Sequence, residues 1–175
     1  MTHDLSTNSK SNKEAASFLA KEPCETLAGG LQLFKEGIVL ITEDIDFPIQ
    51  FFCTFKFSLF DGKSAIQLQQ IWCAEKSRGL KIDSLPIGAY SLFKILLPKY
   101  SIVIGADEHS PDGERFEKNQ MRYAIDHGVF VYTVDEEDKL YNVTTNKFIE
   151  KNENLLWGVS HEHTKRLIIY SEKDL

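Results

Sequence analysis

The feature that most constrains this chain is a pair of apolar-rich segments joined by Asp61-Gly62. From Ile49 to Phe60 the side chains alternate. Phe51, Cys53, Phe55, Phe57 and Leu59 fall on one side, and Phe52, Thr54, Lys56 and Ser58 on the other. A period of two is the pattern of a strand with one buried face. Asp-Gly suits a tight hairpin turn, whose central residues need left-handed backbone. Ser64 to Cys73 is then the partner strand, with Ala65, Ile66, Leu68, Ile71 and Trp72 as its apolar positions. Such a hairpin requires a sheet and something packed upon it.

The flanking sequence supplies both. Leu31 to Phe34 and Ile38 to Thr42 read as further strands before the hairpin. After Arg78-Gly79 the period changes, and the apolar residues from Ile87 to Leu97 predict a helix ending near Pro98. Tyr100 to Gly105 is a short continuous apolar run, the mark of a buried central strand. Ser110-Pro111-Asp112 combines an N-cap, a first-turn proline and an acid at the positive helix end. That helix should run to His127 and stop at Gly128. Val129 to Val134, Lys139 to Val143 and Arg166 to Tyr170 read as the closing strands. The order predicts an α/β (α+β) domain over residues 26–175. Residues 1–25 read as a flexible tail with a short helix over Asn12 to Lys21, capped by Ser11 and Glu14.

Length and charge narrow the function classes. The chain has 175 residues, enough for one domain with a proper core. Its net charge is -6 and no block of Lys or Arg stands out, so nucleic-acid binding is not expected. No apolar run is long enough to span a bilayer, and the N-terminus has no signal core, so a cytoplasmic location is expected. The cysteines Cys24, Cys53 and Cys73 lack metal-ligand spacing; Cys53 and Cys73 read as buried thiols in a reducing compartment. His161-Glu162-His163 offers two imidazoles but no third ligand, so no metal site is expected.

The segment that carries chemistry is Trp72 to Ile82. A strand ends there, and the Arg78-Gly79 turn leads towards a helix. Backbone N–H groups at such a junction can bind an anion, and an arginine fork suits phosphate oxygens. The same residues also fit a plain loop after a strand.

Here the chain resembles the GNAT superfamily of N-acetyltransferases, and in particular its divergent phage-type members. The family hallmark is a strand, an Arg/Gln-Gly-x-Gly-Ile/Leu turn and a helix, with Arg78, Gly79 and Ile82 at matching positions. The strand Ser101 to Gly105, the turn Asp107 to Gly113, the helix from Glu114 and the strand Val129 to Asp135 resemble the family's downstream order, as do Leu155 to Gly158 and the strand after them. The resemblance implies a GNAT-like mixed, mostly antiparallel sheet flanked by helices. It implies that Arg78, Gly79, Leu80, Lys81 and Ile82 hold the pyrophosphate of acetyl-CoA. Tyr123 would protonate the leaving thiolate, and Glu75 or Asp107, with Glu108 as a further candidate, would take the amine proton. His109, at the exit of the central strand, is a weaker candidate. The acceptor loops would be Glu43 to Pro48 and Asp135 to Asn152.

Two departures are visible. Lys81 stands where the family has its second turn glycine, and Asp83 to Pro86 lengthen the turn. Two functions therefore stay open: an acyl-CoA-dependent N-acyltransferase acting on an unknown amine, or a catalytically inactive GNAT-like protein of phage type that binds and inhibits a host or defence protein. A homodimer is compatible with either.

Overall fold

A computed structural model of the chain describes residues 16–43, 48–105, 111–134, 139–152, 156 and 167–175. The capping pair Ser11 and Glu14 lies outside the described residues, as do Ser110, Asp107, Glu108, His109 and the His161–His163 motif. The fold is α+β: a large, mostly antiparallel sheet with a few helices. The chain divides into two compact units, Met1–Lys56 with Gln69–Ser91, and Phe57–Leu68 with Leu92–Leu175.

In the first unit a helical turn, α1, covers residues 16–19. Then come β1 (Glu25–Thr26), β2 (Leu31–Phe34), β3 (Gly37–Ile41) and β4 (Ile49–Phe60), each antiparallel to the one before. The partner strand β5 spans Lys63–Cys73, and β4 and β5 contribute residues to both units. Asp61 and Gly62 take φ of 49° and 70°, the left-handed pair the turn demands. One expectation for β4 is corrected. All seven residues from Ile49 to Phe55 are buried, on both faces, whereas Lys56 to Leu59 are exposed. Phe52 packs with Phe18, Phe34, Val39, Ile49 and Trp72 on one side, so its neighbours Phe51 and Cys53 serve a second apolar face. Period-two alternation of sizeable apolar residues on both sides marks a doubly covered strand better than a half-buried one.

The second unit carries the strand order β4-β5-β8-β11-β9-β10, where β8 is Ser101–Gly105, β9 Phe130–Val134, β10 Leu140–Asn142 and β11 Leu167–Ser171. Ala65–Leu68 of β5 run parallel to Ser101–Ile104 of β8. The pairs β8–β11, β11–β9 and β9–β10 are antiparallel, and β11 lies between β8 and β9. A parallel pair needs a crossover. It is made by α2 (Ile87–Tyr90), which runs on as a wider π-type turn over Ser91–Leu96. The continuous run Ile102-Val103-Ile104 is buried, as expected for a central strand.

Helix α3 spans Pro111–Asp126 and ends where Gly128 takes φ +73°, a conformation that favours glycine. Its buried residues are Gly113, Glu117, Gln120, Met121 and Ala124, the stripe of a 3.6-residue period. A short helix, α4 (Asn146–Lys151), was not foreseen. Thr145 caps it by accepting a hydrogen bond from the Phe148 amide at 3.3 Å. Part of the stretch expected as an acceptor loop is therefore β10 and α4. Among the described residues no helix is long and apolar enough to cross a membrane.

Candidate functional site

The segment between β5 and α2 is the first candidate. It leaves β5 at Cys73, makes a short helical turn over Glu75–Ser77, and then forms a small hairpin. The hairpin pairs β6 (Lys81–Ile82) with β7 (Leu85–Pro86). Asp83 and Ser84 form its tip with φ of 49° and 67°. The helix begins at Ile87, with Pro86 in the capping position. The Arg78-Gly79 turn thus leads into a hairpin, and the helix starts at Ile87, where the apolar residues place it. The Asp83-Ser84 pair is the physical reason for the hairpin, because it reverses the chain.

This segment is tied down by β4. The Ala74 amide donates to the Gln50 carbonyl at 2.8 Å, and Ser77 Oγ donates to Gln50 Oε1 at 2.9 Å. Gln50 itself is buried. The turn also uses its own donors. The amides of Ser77, Arg78 and Leu80 donate to the carbonyls of Ala74, Glu75 and Ser77 at 2.9, 3.2 and 3.0 Å. The first helical amide, Ile87, donates to Leu80 at 3.1 Å. Ile87, Gly88 and Ala89 are buried. An anion cradle needs outward amides, and those of Ser77, Arg78, Leu80 and Ile87 are already engaged.

The predicted cofactor residues divide accordingly. Arg78, Gly79, Leu80 and Lys81 are exposed. A Cβ on Gly79 would meet nothing within 4 Å, so no close approach requires glycine there. Ile82 is buried, and its Cδ1 comes so near Gly29 that a Cβ there would lie 2.6 Å away. Ile82 therefore anchors the hairpin to the turn Ala28–Gly30. Glu75 is exposed on the short helical turn. Cys73 is half-buried, a correction to the expectation of full burial, and its thiol is pushed up to about 11 by desolvation, against the pull of the Arg78 charge. Cys53, fully buried, is pushed up to about 12 by desolvation. Neither is a thiolate at neutral pH.

Tyr123 belongs to the second unit. Its ring stacks on Phe93 at 5.1 Å and on His127 at 3.9 Å. His127 Nδ1 lies 2.8 Å from the Tyr123 carbonyl oxygen. Phe93 also meets Tyr170 edge-on at 5.4 Å. Behind this stack lies a pair that the motif reading missed. Tyr170 donates its hydroxyl hydrogen to Glu117 Oε1 at 2.6 Å, and both side chains are buried. Desolvation pushes the Glu117 carboxyl up to about 7, although the Tyr170 hydrogen bond works to lower it. The same burial, with the Glu117 charge, holds Tyr170 well above the usual phenol range. The burial of Glu117, though not its partner, was signalled in the sequence: Glu117 sits four residues before Met121 and seven before Ala124, on the apolar stripe of α3.

Among the described residues, no group of three or more His, Cys, Asp or Glu is placed to hold a metal ion. No family model, curated protein or solved structure matches the chain.

Proposed function

We propose that this chain is a GNAT-like scaffold that does not turn over acyl-CoA and acts by binding another protein. Support for the scaffold is the succession β5, α2 with its π-type turn, β8, α3 and β9, with β5 and β8 parallel. A scaffold alone does not specify a reaction, so the site decides. The observation that carries the reading is the engaged turn. Ser77, Arg78, Leu80 and Ile87 already donate their amides within the segment that would have to receive a pyrophosphate. A CoA pyrophosphate would have to break those four bonds or rely on the Arg78 and Lys81 side chains with the remaining amides of the turn. Surface cations without oriented amides give weak, salt-screened anion binding.

The acyltransferase reading rests on the same succession of elements and on Arg78-Gly79. It requires the hairpin Lys81–Pro86 to open. Calorimetric titration with acetyl-CoA separates the two. Heat at the level of dilution supports the binding scaffold; a saturable isotherm supports the enzyme.

A further inference from the structure

We propose that Asp174 and Leu175 occupy, from within the chain, a docking site for a segment of another protein in which an acid precedes an aliphatic side chain. This rests on the binding reading above and names the surface and the partner chemistry.

The site is one face of the sheet in the second unit. Cross-strand register places Val103 of β8 opposite Ile169 of β11, and Ile169 opposite Tyr132 of β9. Side chains directly opposite one another share a face. With Ala65 and Val134, these three form a buried cluster. Tyr170, the next residue along β11, belongs to the other face, where Glu117 of α3 meets it. The helix therefore takes one face, and the cluster lies on the other.

Residues 172–175 fold back onto this cluster. Strand β11 ends at Ser171, whose Oγ accepts from the Lys173 amide at 3.3 Å and starts the reversal. Leu175 packs against the cluster, partly buried. The Tyr132 hydroxyl donates to Asp174 Oδ1 and accepts from the Leu175 amide at 3.1 Å. One phenol thus reads a carboxylate and the amide that follows it, while the apolar row beside it takes the aliphatic side chain. A placed polar group within an apolar surface is what gives a binding site its orientation and specificity.

The internal occupant is held lightly. Glu172, Lys173 and Asp174 are exposed, and the bonds from Asp174 and Leu175 to the sheet both pass through the one hydroxyl. Segments with few buried contacts open at low free energy. Opening uncovers the Tyr132 hydroxyl together with the apolar row, and the segment that fits repeats the chemistry of the strap. A lysine in place of the acid gives the hydroxyl proton no acceptor. Tethered to β11, the strap faces the site at an effective concentration on the order of millimolar, so it competes with any free segment.

The test titrates the full chain with a synthetic peptide of the sequence of residues 171–175, capped at both ends, and follows amide chemical shifts. It compares wild type, Asp174→Ala/Leu175→Ala, and that strap variant with Tyr132→Phe added. The expected result is saturable binding to the strap variant, about tenfold or more tighter than to wild type, with shifts centred on Val103, Tyr132 and Ile169. Tyr132→Phe should weaken it about tenfold, and so should a peptide carrying lysine for the acid, which tests the same contact without altering the folded chain. No shifts at these residues in the strap variant overturn the docking site and leave the binding reading standing. Equal affinity for wild type and the strap variant overturns occupancy by Asp174 and Leu175, and equal affinity for the lysine peptide overturns the partner chemistry. A wild-type dimer that the strap variant makes monomeric shows exchange of the segment between copies and overturns the internal contact. Acetyl-CoA turnover by wild type overturns the binding reading on which the partner rests.

Discussion

Tyr170 on β11 donates a hydrogen bond to Glu117 on α3 at 2.6 Å, and water reaches neither side chain. The pair gives the contact between helix and strand a dependence on pH. Glu117 has an ordinary value of 4.5 and is pushed up to about 7 by burial in the fold. A raised folded value stabilises below the unfolded value and loses that contribution as pH rises through the folded one. Stability should therefore fall between about pH 4.5 and pH 7, by roughly 3 kcal/mol from this group. Urea denaturation at pH 5 and pH 8 should show the fall in wild type and a smaller one in Glu117→Gln. Equal slopes in the two proteins would contradict the assignment.

Tyr170→Phe removes the donor and leaves the buried carboxyl without it. The expected cost is about 1–3 kcal/mol. The variant should also titrate Glu117 at a higher pH, because the Tyr170 bond is what lowers it. Carboxyl-carbon chemical shifts across a pH series would read this directly.

The β6–β7 tip places Ser84 at φ 67°. A left-handed serine costs roughly 1 kcal/mol more than glycine there, partly offset by the flexibility glycine adds to the unfolded chain. Ser84→Gly should leave stability equal or raise it by about 0.5 kcal/mol, whereas Gly128→Ala, at φ +73°, should lower it by about 1 kcal/mol. Thermal melts of the two variants should move in opposite directions or leave only Gly128→Ala shifted.

Ile82 holds the hairpin against Gly29. Ile82→Ala should cost about 2–4 kcal/mol by leaving a cavity. It should also speed amide exchange at Leu80 and Ile87, whose bonds depend on the hairpin staying closed. Unchanged exchange would mean that the turn is held by Gln50 alone.

Much of this fold was legible. Strand β4 starts and ends where alternation and Asp61-Gly62 place it, and Gly128 stops α3 as its chemistry predicts. Three features were not legible, for physical reasons. The β6–β7 hairpin has Asp-Ser at its tip and a proline in its second strand, neither the usual hairpin signal. Double burial of β4 depends on what packs over it, which alternation does not state. The Glu117–Tyr170 pair joins residues 53 positions apart, and no local pattern links them. Of the candidate site, the exposed Arg78-Gly79 turn was found, while the engagement of its amides depends on backbone geometry that side-chain identity does not encode.

On the proposed reading, the turn after β5 does not take a CoA pyrophosphate. Isothermal titration of the full chain with acetyl-CoA up to millimolar concentration tests it most directly, with Arg78→Glu alongside. The account predicts only heats of dilution for both proteins. A saturable isotherm for wild type that Arg78→Glu abolishes would contradict it.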